Sequence, residues 1–299
     1  TLLASSAASD VYKRQLYNKA DYIAETLKSV LNQTYCDYEV IVVNDSSTDN
    51  SLEVASSFQD ERIHIYTKEN EGVSAARNYG IMHAKYDYIA FLDADDIWES
   101  DYLECQKKLI GTYPDAGIYS TAFYSLEKGK RKLRNVLINE HIHFLVHDYF
   151  KESVMNGLSI CWTSSLCLKK EVIKEIPMFR VGIKRGEDLD LWLRIALNYD
   201  VAYLNLPKVF YRTGLSDSLT SDYSKNGEFP YYEWFNFTSE SSYYRKYVIL
   251  VVYIHAKNAF IHHDYDTCLA ELWSVKTIAW RFKWAERLLL LVISWIKSK

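Results

Sequence analysis

The chain has 299 residues, 48% of them hydrophobic and 25% charged, with a formal net charge of −4. That is the make-up of a globular protein with one large domain, or one domain and an appendage, and folding at this length buries roughly 75% of the unfolded surface. The acidic balance leaves no basic footprint for nucleic acid, which excludes that class of partner.

Residues 1–15 are small, polar and aperiodic, and read as foreign to the rest of the chain, a non-native or truncated start. From Tyr17 the texture changes. Ile23, Leu27, Val30 and Leu31 recur at helical spacing, so a helix is expected over 20–33. A strand over 38–43 runs into the polar cluster Asn44 to Asp49, turn chemistry that leads into a helix over 49–58. Alternation predicts a strand at 62–66, and Asn70-Glu71-Gly72 turns the chain into a helix over 73–84. A strand at 88–92, a helix over 98–110 and a strand over 116–124 come next. This alternation implies a mostly parallel sheet flanked by helices, an α/β fold.

Beyond it, 127–134 reads as a basic loop, 136–156 as helix, 161–168 as a strand and 170–176 as a helical turn. Gly186-Glu187-Asp188 opens a helix, and strands are expected at 201–205 and 209–212. After 215 the pattern becomes aromatic-rich and helical, so a boundary is placed there, with 216–299 as a helical C-terminal extension. Its last part, 280–296, is basic-aromatic and then apolar. That is a pattern for peripheral contact with an anionic membrane surface. No stretch reaches the roughly 20 apolar residues a spanning helix needs. The five cysteines are scattered and form no CxxC, which argues for a reducing compartment, and no signal peptide is visible. A cytoplasmic location, at the inner face of the cell membrane, is the expectation.

The chemistry concentrates where the apolar run Tyr88 to Leu92 ends in Asp93, Asp95 and Asp96. Carboxylates crowded at a strand end repel one another unless a cation or ligand offsets them. Open α/β sheets bind ligands at that edge. Oxygen donors suit Mg²⁺ or Mn²⁺. The plainer reading is an acidic loop before a helix. His141, His143 and His147, and His262-His263-Asp264, do not join helix-face spacing to a fitting acid as a metal site would.

Five stretches in order carry a resemblance: Tyr17-Asn18, Val43 to Asp49, Asn70 to Asn78, Asp93 to Asp96 and Gly186 to Arg194. Over 16–215 the chain resembles the family-2 glycosyltransferases of bacterial polysaccharide biosynthesis, which have the GT-A fold. The resemblance implies metal-dependent, inverting transfer of a sugar from a nucleotide-sugar, taken as a UDP-sugar, to a glycan or lipid-linked acceptor. It assigns Tyr17 to stacking on the base, Asp45 to bonding it, Arg77 to the diphosphate and Asp93 to the ribose. Asp95, assisted by Asp96, would hold Mg²⁺ or Mn²⁺. Asp188, paired with Glu187, would be the catalytic base; acidic residues at a helix start also meet its dipole without any catalytic role.

Two departures stand out. The family's first strand is buried and ends in Pro, whereas Asp10 to Leu16 is polar with Gln15 in the Pro position, a poor candidate for a buried parallel strand. Many relatives carry a His two residues after the Arg at position 212; this chain has Gly214 there, so no third protein ligand for the ion is expected. The alternative function is a non-catalytic nucleotide-sugar binding or scaffold protein with a compromised N-terminus. A nucleotidylyltransferase would need a Gly-rich loop after the first strand, and none is present.

Overall fold

The computed structural model describes residues 9–183, 185–215, 234, 237–261, 264, 266–268 and 270–271. In chain order these form β1 (Ser9–Leu16), α1 (Ala20–Leu31), β2 (Tyr38–Asn44), α2 (Ser51–Ser56), β3 (Ile63–Thr67), α3 (Val73–His83), β4 (Tyr88–Leu92), β5 (Ile97–Trp98) and α4 (Tyr102–Thr112). Then come β6 (Ile118–Glu127), β7 (Lys130–Arg134), β8 (His143–Val146), α5 (Tyr149–Asn156), β9 (Leu166–Lys169), α6 (Lys170–Glu175), α7 (Glu187–Ala196), β10 (Val201–Arg212) and α8 (Tyr244–Ile261). A 3₁₀ turn, Thr163–Ser165, leads into β9.

All the described strands join one sheet in the order β3-β2-β1-β4-β9-β6-β10-β5, with β7 added beside β6 and β8 beside β10. The sheet is mixed. The half made of β3-β2-β1-β4 is wholly parallel, as is the β6–β10 pair, while β9 runs antiparallel to both its neighbours.

Period-2 alternation explains why helices cover both faces. In β2, Ile41 and Val43 pack into one core layer and Val40 and Val42 into the other; in β4, Ile89 and Phe91 oppose Tyr88, Ala90 and Leu92. Every residue of both strands is buried, the pattern of strands covered on two sides. On one face lie Ala76 and Ile81 of α3, Leu191 and Trp192 of α7, and Tyr247, Val248 and Val252 of α8. On the other lie Ile23, Leu27 and Val30 of α1, and Leu103, Leu109 and Ile110 of α4. Each of the larger aliphatic side chains among these contributes roughly 1.5–3 kcal/mol when fully buried.

Several expectations are corrected by the fold. Ser9–Leu16 is a central strand, paired in parallel with β2 on one side and β4 on the other, despite its polar sequence. Two neighbours supply backbone partners over 10–13, and that pairing does not require an apolar sequence. The basic segment expected as loop forms β7, an edge strand exposed at all five positions. The helix expected over 136–156 is confined to 149–156, and 143–146 is instead strand β8 on the β10 edge. The two strands expected at 201–212 are one, β10, whose register against β6 shifts on either side of Pro207. No described helix is long and apolar enough to cross a membrane. The segment 280–296 and the pair His262-His263 lie outside the described residues.

Candidate active site

The carboxyl ends of β1, β2 and β4 lie side by side, and the positions of the candidate residues are set by that register. Leu16 pairs with Asn44, and Lys13 with Leu92. Tyr17 therefore leaves β1 next to the end of β2. It is 38% exposed. Asn18 takes a left-handed φ of 51°, which asparagine tolerates, and its side-chain oxygen accepts from the amide of Thr48 at 2.9 Å. That bond ties the loop after β1 to the loop after β2.

Asp45 is fully buried. Its carboxylate accepts from the amides of Glu71 (3.2 Å) and Gly72 (3.0 Å) and from Lys68 Nζ (3.1 Å). Gly72, at φ 88°, adopts a conformation few other residues can take there, and it starts α3. Asp45 thus fixes the entry to the helix that carries Arg77.

Arg77 is buried inside the protein, not on the outer face of α3. Its Nη1 donates to Glu187 Oε1 at 2.9 Å, its Nη2 lies 3.9 Å from Asp93 Oδ1, and its guanidinium covers the Phe179 ring at 4.9 Å. A charge so deep persists only with paired acids. Arg77 links the start of α7 to the end of β4.

Asp93, Asp95 and Asp96 each offer an oxygen within 4.8 Å of the others. None is bare. Asp93 faces Arg77, and Asp95 Oδ2 is 3.2 Å from Lys19 Nζ. Asp96 is fully buried and accepts from Ser164 Oγ at 2.5 Å and from the Arg212 amide at 3.0 Å. Burial pushes the Asp96 carboxyl well above its usual range, and the charges of Asp95 and Asp93 push the same way, against those two hydrogen bonds. Asp95, partly open to solvent, is the carboxylate an ion could reach. Three hard oxygen donors this close fit Mg²⁺ or Mn²⁺. The loop itself is pinned, because Thr26 Oγ1 donates to the Ala94 carbonyl at 2.9 Å and Arg212 Nη1 to the Asp95 carbonyl at 2.7 Å. Arg212 also pairs with Glu25.

The turn Thr163–Ser165 joins this cluster to α7. Ser164 Oγ accepts from the Asp93 amide at 3.1 Å while donating to Asp96, and the Ser164 carbonyl accepts from Trp98 Nε1 at 2.8 Å. One residue earlier, Thr163 Oγ1 donates to Asp188 Oδ2 at 2.8 Å, and Asp188 Oδ1 accepts from the Leu189 amide. Asp188 is half-buried, whereas its neighbour Glu187 is buried and engaged by Arg77. Asp190, two residues on, is fully buried and bonded by Arg194 Nε at 2.9 Å and Trp234 Nε1 at 2.8 Å. Trp192 packs edge-on against Phe91 and Phe179 in the core.

The fold brings Arg77, Glu187, Asp93, Asp95, Asp96 and Asp188 into one linked set, with Tyr17 and Asp45 on the neighbouring strand ends. Sequence reasoning missed Lys19, Thr163, Ser164 and the contacts of Arg212. The histidines do not assemble: His147 pairs with Asp200 and His143 contacts Tyr113. The Asp trio is the one potential metal-binding group among the described residues.

The family model described as glycosyl transferase family 2 matches residues 16–176. The chain is 32% identical over 190 residues to TuaG of Bacillus subtilis, a glycosyltransferase assigned by name to teichuronic acid biosynthesis; 62% of this chain and 71% of that protein are covered. It is 31% identical over 207 residues to the glycosyltransferase GlyA of Streptococcus pneumoniae, covering 66% of this chain but only 29% of that one. Among solved structures, S. aureus TarS 1–349 in complex with UDP-GlcNAc matches with a TM-score of 0.70 over 89% of this chain and 79% of that one. At 17% identity this is a likeness of fold. With the family model spanning more than half of the residues, and the TarS-like GT-A sheet beneath it, the chain belongs to glycosyl transferase family 2 and is a glycosyltransferase.

Proposed function

We propose that this glycosyltransferase moves a sugar from a UDP-sugar to a glycan or lipid-linked acceptor in surface polysaccharide biosynthesis, with inversion at the anomeric carbon. The observation that carries the reading is the continuous link from the acid cluster to Asp188 through Ser164 and Thr163. The donor class is supported by TarS structures holding UDP-GlcNAc or UDP, and the setting by the name of the Bacillus relative.

In this reading Tyr17 and Asp45 line the base pocket and Asp93 faces the ribose. Asp95, backed by Asp96, would hold Mg²⁺ or Mn²⁺. Such an ion would offset the negative charge that grows on the departing diphosphate. Asp188 takes the proton from the acceptor hydroxyl as its oxygen bonds to the anomeric carbon. The bond from that carbon to the diphosphate oxygen breaks, and the electron pair leaves with UDP. One displacement with no covalent sugar–enzyme intermediate inverts the configuration. Asp188 suits the role because Thr163 and the Leu189 amide orient it without neutralising it. Glu187, engaged by Arg77, contributes by holding Arg77 and the helix start in place.

Calorimetric titration of UDP with and without Mn²⁺, followed by turnover assays on a UDP-sugar panel, tests this. Metal-enhanced UDP binding is expected, and Asp188→Asn should keep that binding while losing at least about 10²-fold in turnover. A variant with parental turnover removes Asp188 from the base role. Folded protein that binds UDP but turns over no donor favours a scaffold.

A further inference from the structure

The hairpin β6–β7 and the loop after it carry a local excess of basic side chains in a chain that is acidic overall. Residues 127–143, the end of β6 through the loop, hold Lys128, Lys130, Arg131, Lys132 and Arg134 against two acids, Glu127 and Glu140, in a chain whose net charge is −4. Every residue of β7 is exposed. Arg131 lies over the Phe210 ring at 4.6 Å and Arg134 Nε donates to Ser125 Oγ, so both are anchored to the sheet.

The loop after β7 is held firmly in an unusual pose. Leu137 is buried, its amide donates to Asn205 Oδ1 at 2.8 Å, and its carbonyl accepts from Asn205 Nδ2 at 2.8 Å. The Asn205 amide in turn donates to the Ile142 carbonyl at 2.7 Å. Around this clamp, apolar side chains face water. Ile138 is 99% exposed, Ile142 59%, Val136 43% and Leu206 41%. A single exposed isoleucine is ordinary. Four exposed apolar side chains around one doubly hydrogen-bonded asparagine, next to a basic edge strand, form a patch with two chemistries.

The geometry points to this patch as a docking surface for an anionic lipid bilayer, with Lys128, Lys130 and Lys132 over the headgroups and Ile138 and Ile142 inserted among them. Charge complementarity argues for an anionic occupant, since basic clusters of this size bind anionic leaflets. The isoleucines argue for lipid over a soluble polyanion, because a sugar-phosphate polymer offers them nothing apolar to enter. The surface lies within the described fold and does not depend on residues 280–296. Nor does it depend on the transfer reaction, so its failure and that of the proposed activity are separable.

The test is co-sedimentation of the full chain with phosphatidylcholine vesicles, with and without phosphatidylglycerol. The parent should bind only the anionic vesicles, and high salt should release much of it. The variant Lys128→Gln, Lys130→Gln, Lys132→Gln should bind roughly 10²-fold more weakly. Ile138→Ser should lose roughly tenfold at unchanged charge. These side chains are exposed, so both variants should melt with the parent. Equal binding by parent and variants would assign any membrane affinity to another segment and overturn the proposal. No binding of the parent to anionic vesicles would do the same, as would retention by heparin alone.

Discussion

Lys19 and a divalent cation would compete for the same oxygen. The ammonium sits 3.2 Å from Asp95 Oδ2, and both side chains are largely shielded from water, so the pair is screened less than a surface pair. A metal ion arriving at Asp95 must displace or share that charge. Lys19→Met should therefore tighten Mn²⁺ binding in the absence of nucleotide by roughly two- to fivefold, the upper part of the range for a partly exposed ion pair. Asp95→Ala should abolish it. Free Mn²⁺ followed by electron paramagnetic resonance reads both, and a Lys19→Met variant with weaker Mn²⁺ binding would show that the ammonium does not oppose the ion. Asp93, Asp95 and Asp96 stand out in the sequence as an acidic cluster at a strand end, whereas Arg77, inside α3, and Asp188 entered the candidate set through the family resemblance. Lys19, Thr163 and Ser164 were marked by neither. Ser164 meets Asp96 across a separation of 68 residues, and a Thr-Ser-Ser tripeptide reads equally well as any polar turn.

At the scale of elements, β2, β3, β4 and the helices between them were legible from apolar runs and helical period, whereas the polar β1 was not. The misreadings came where those signals were weak. In His143–Val146 only Phe144 and Val146 are buried, with Leu145 half-buried on the other face, a short signal easily absorbed into a neighbouring helix. In β7 no residue is buried at all, so hydrophobicity could not mark it; its pairing with β6 is what makes it a strand. One contact between elements makes a sharp prediction. Gly117, just before β6, allows Tyr199 to cross close above it: a Cβ at 117 would sit 2.6 Å from Tyr199 Cβ and 3.2 Å from Ile195 Cγ2. Neither neighbour can give way cheaply, because the Gly117 amide is bonded to the Asp200 carbonyl beside them. Gly117→Ala should cost about 1–3 kcal/mol, the range for overpacking a filled site. Chemical denaturation reads it as a lower midpoint at unchanged slope. An unchanged midpoint would mean that the end of α7 shifts freely, and with it the helix that carries Asp188.

For the whole molecule, the informative boundary is the one placed after residue 215. α8 lies beyond it, yet Tyr247, Val248, Val251 and Val252 belong to the same buried layer as Ile89, Phe91 and Trp192 of the preceding 215 residues. Tyr149 of α5 joins Tyr247 through a 3.0 Å hydroxyl contact, and Trp234 donates to Asp190 beneath α7. Four buried side chains at roughly 1.5–3 kcal/mol each amount to about 6–12 kcal/mol. The net stability of a typical protein is only about 5–15 kcal/mol. Residues 1–215 expressed alone should therefore lack cooperative unfolding and bind an apolar dye, while the full chain melts in one transition. Trp234→Phe in the full chain isolates the polar part of this junction. It keeps most of the apolar volume, removes one donor from the buried Asp190, and should lower stability by about 1–3 kcal/mol. If the 1–215 piece instead melted cooperatively at the parental temperature, α8 would be an accessory to the fold. A loss of activity in Trp234→Phe would then need a route through α7 other than stability.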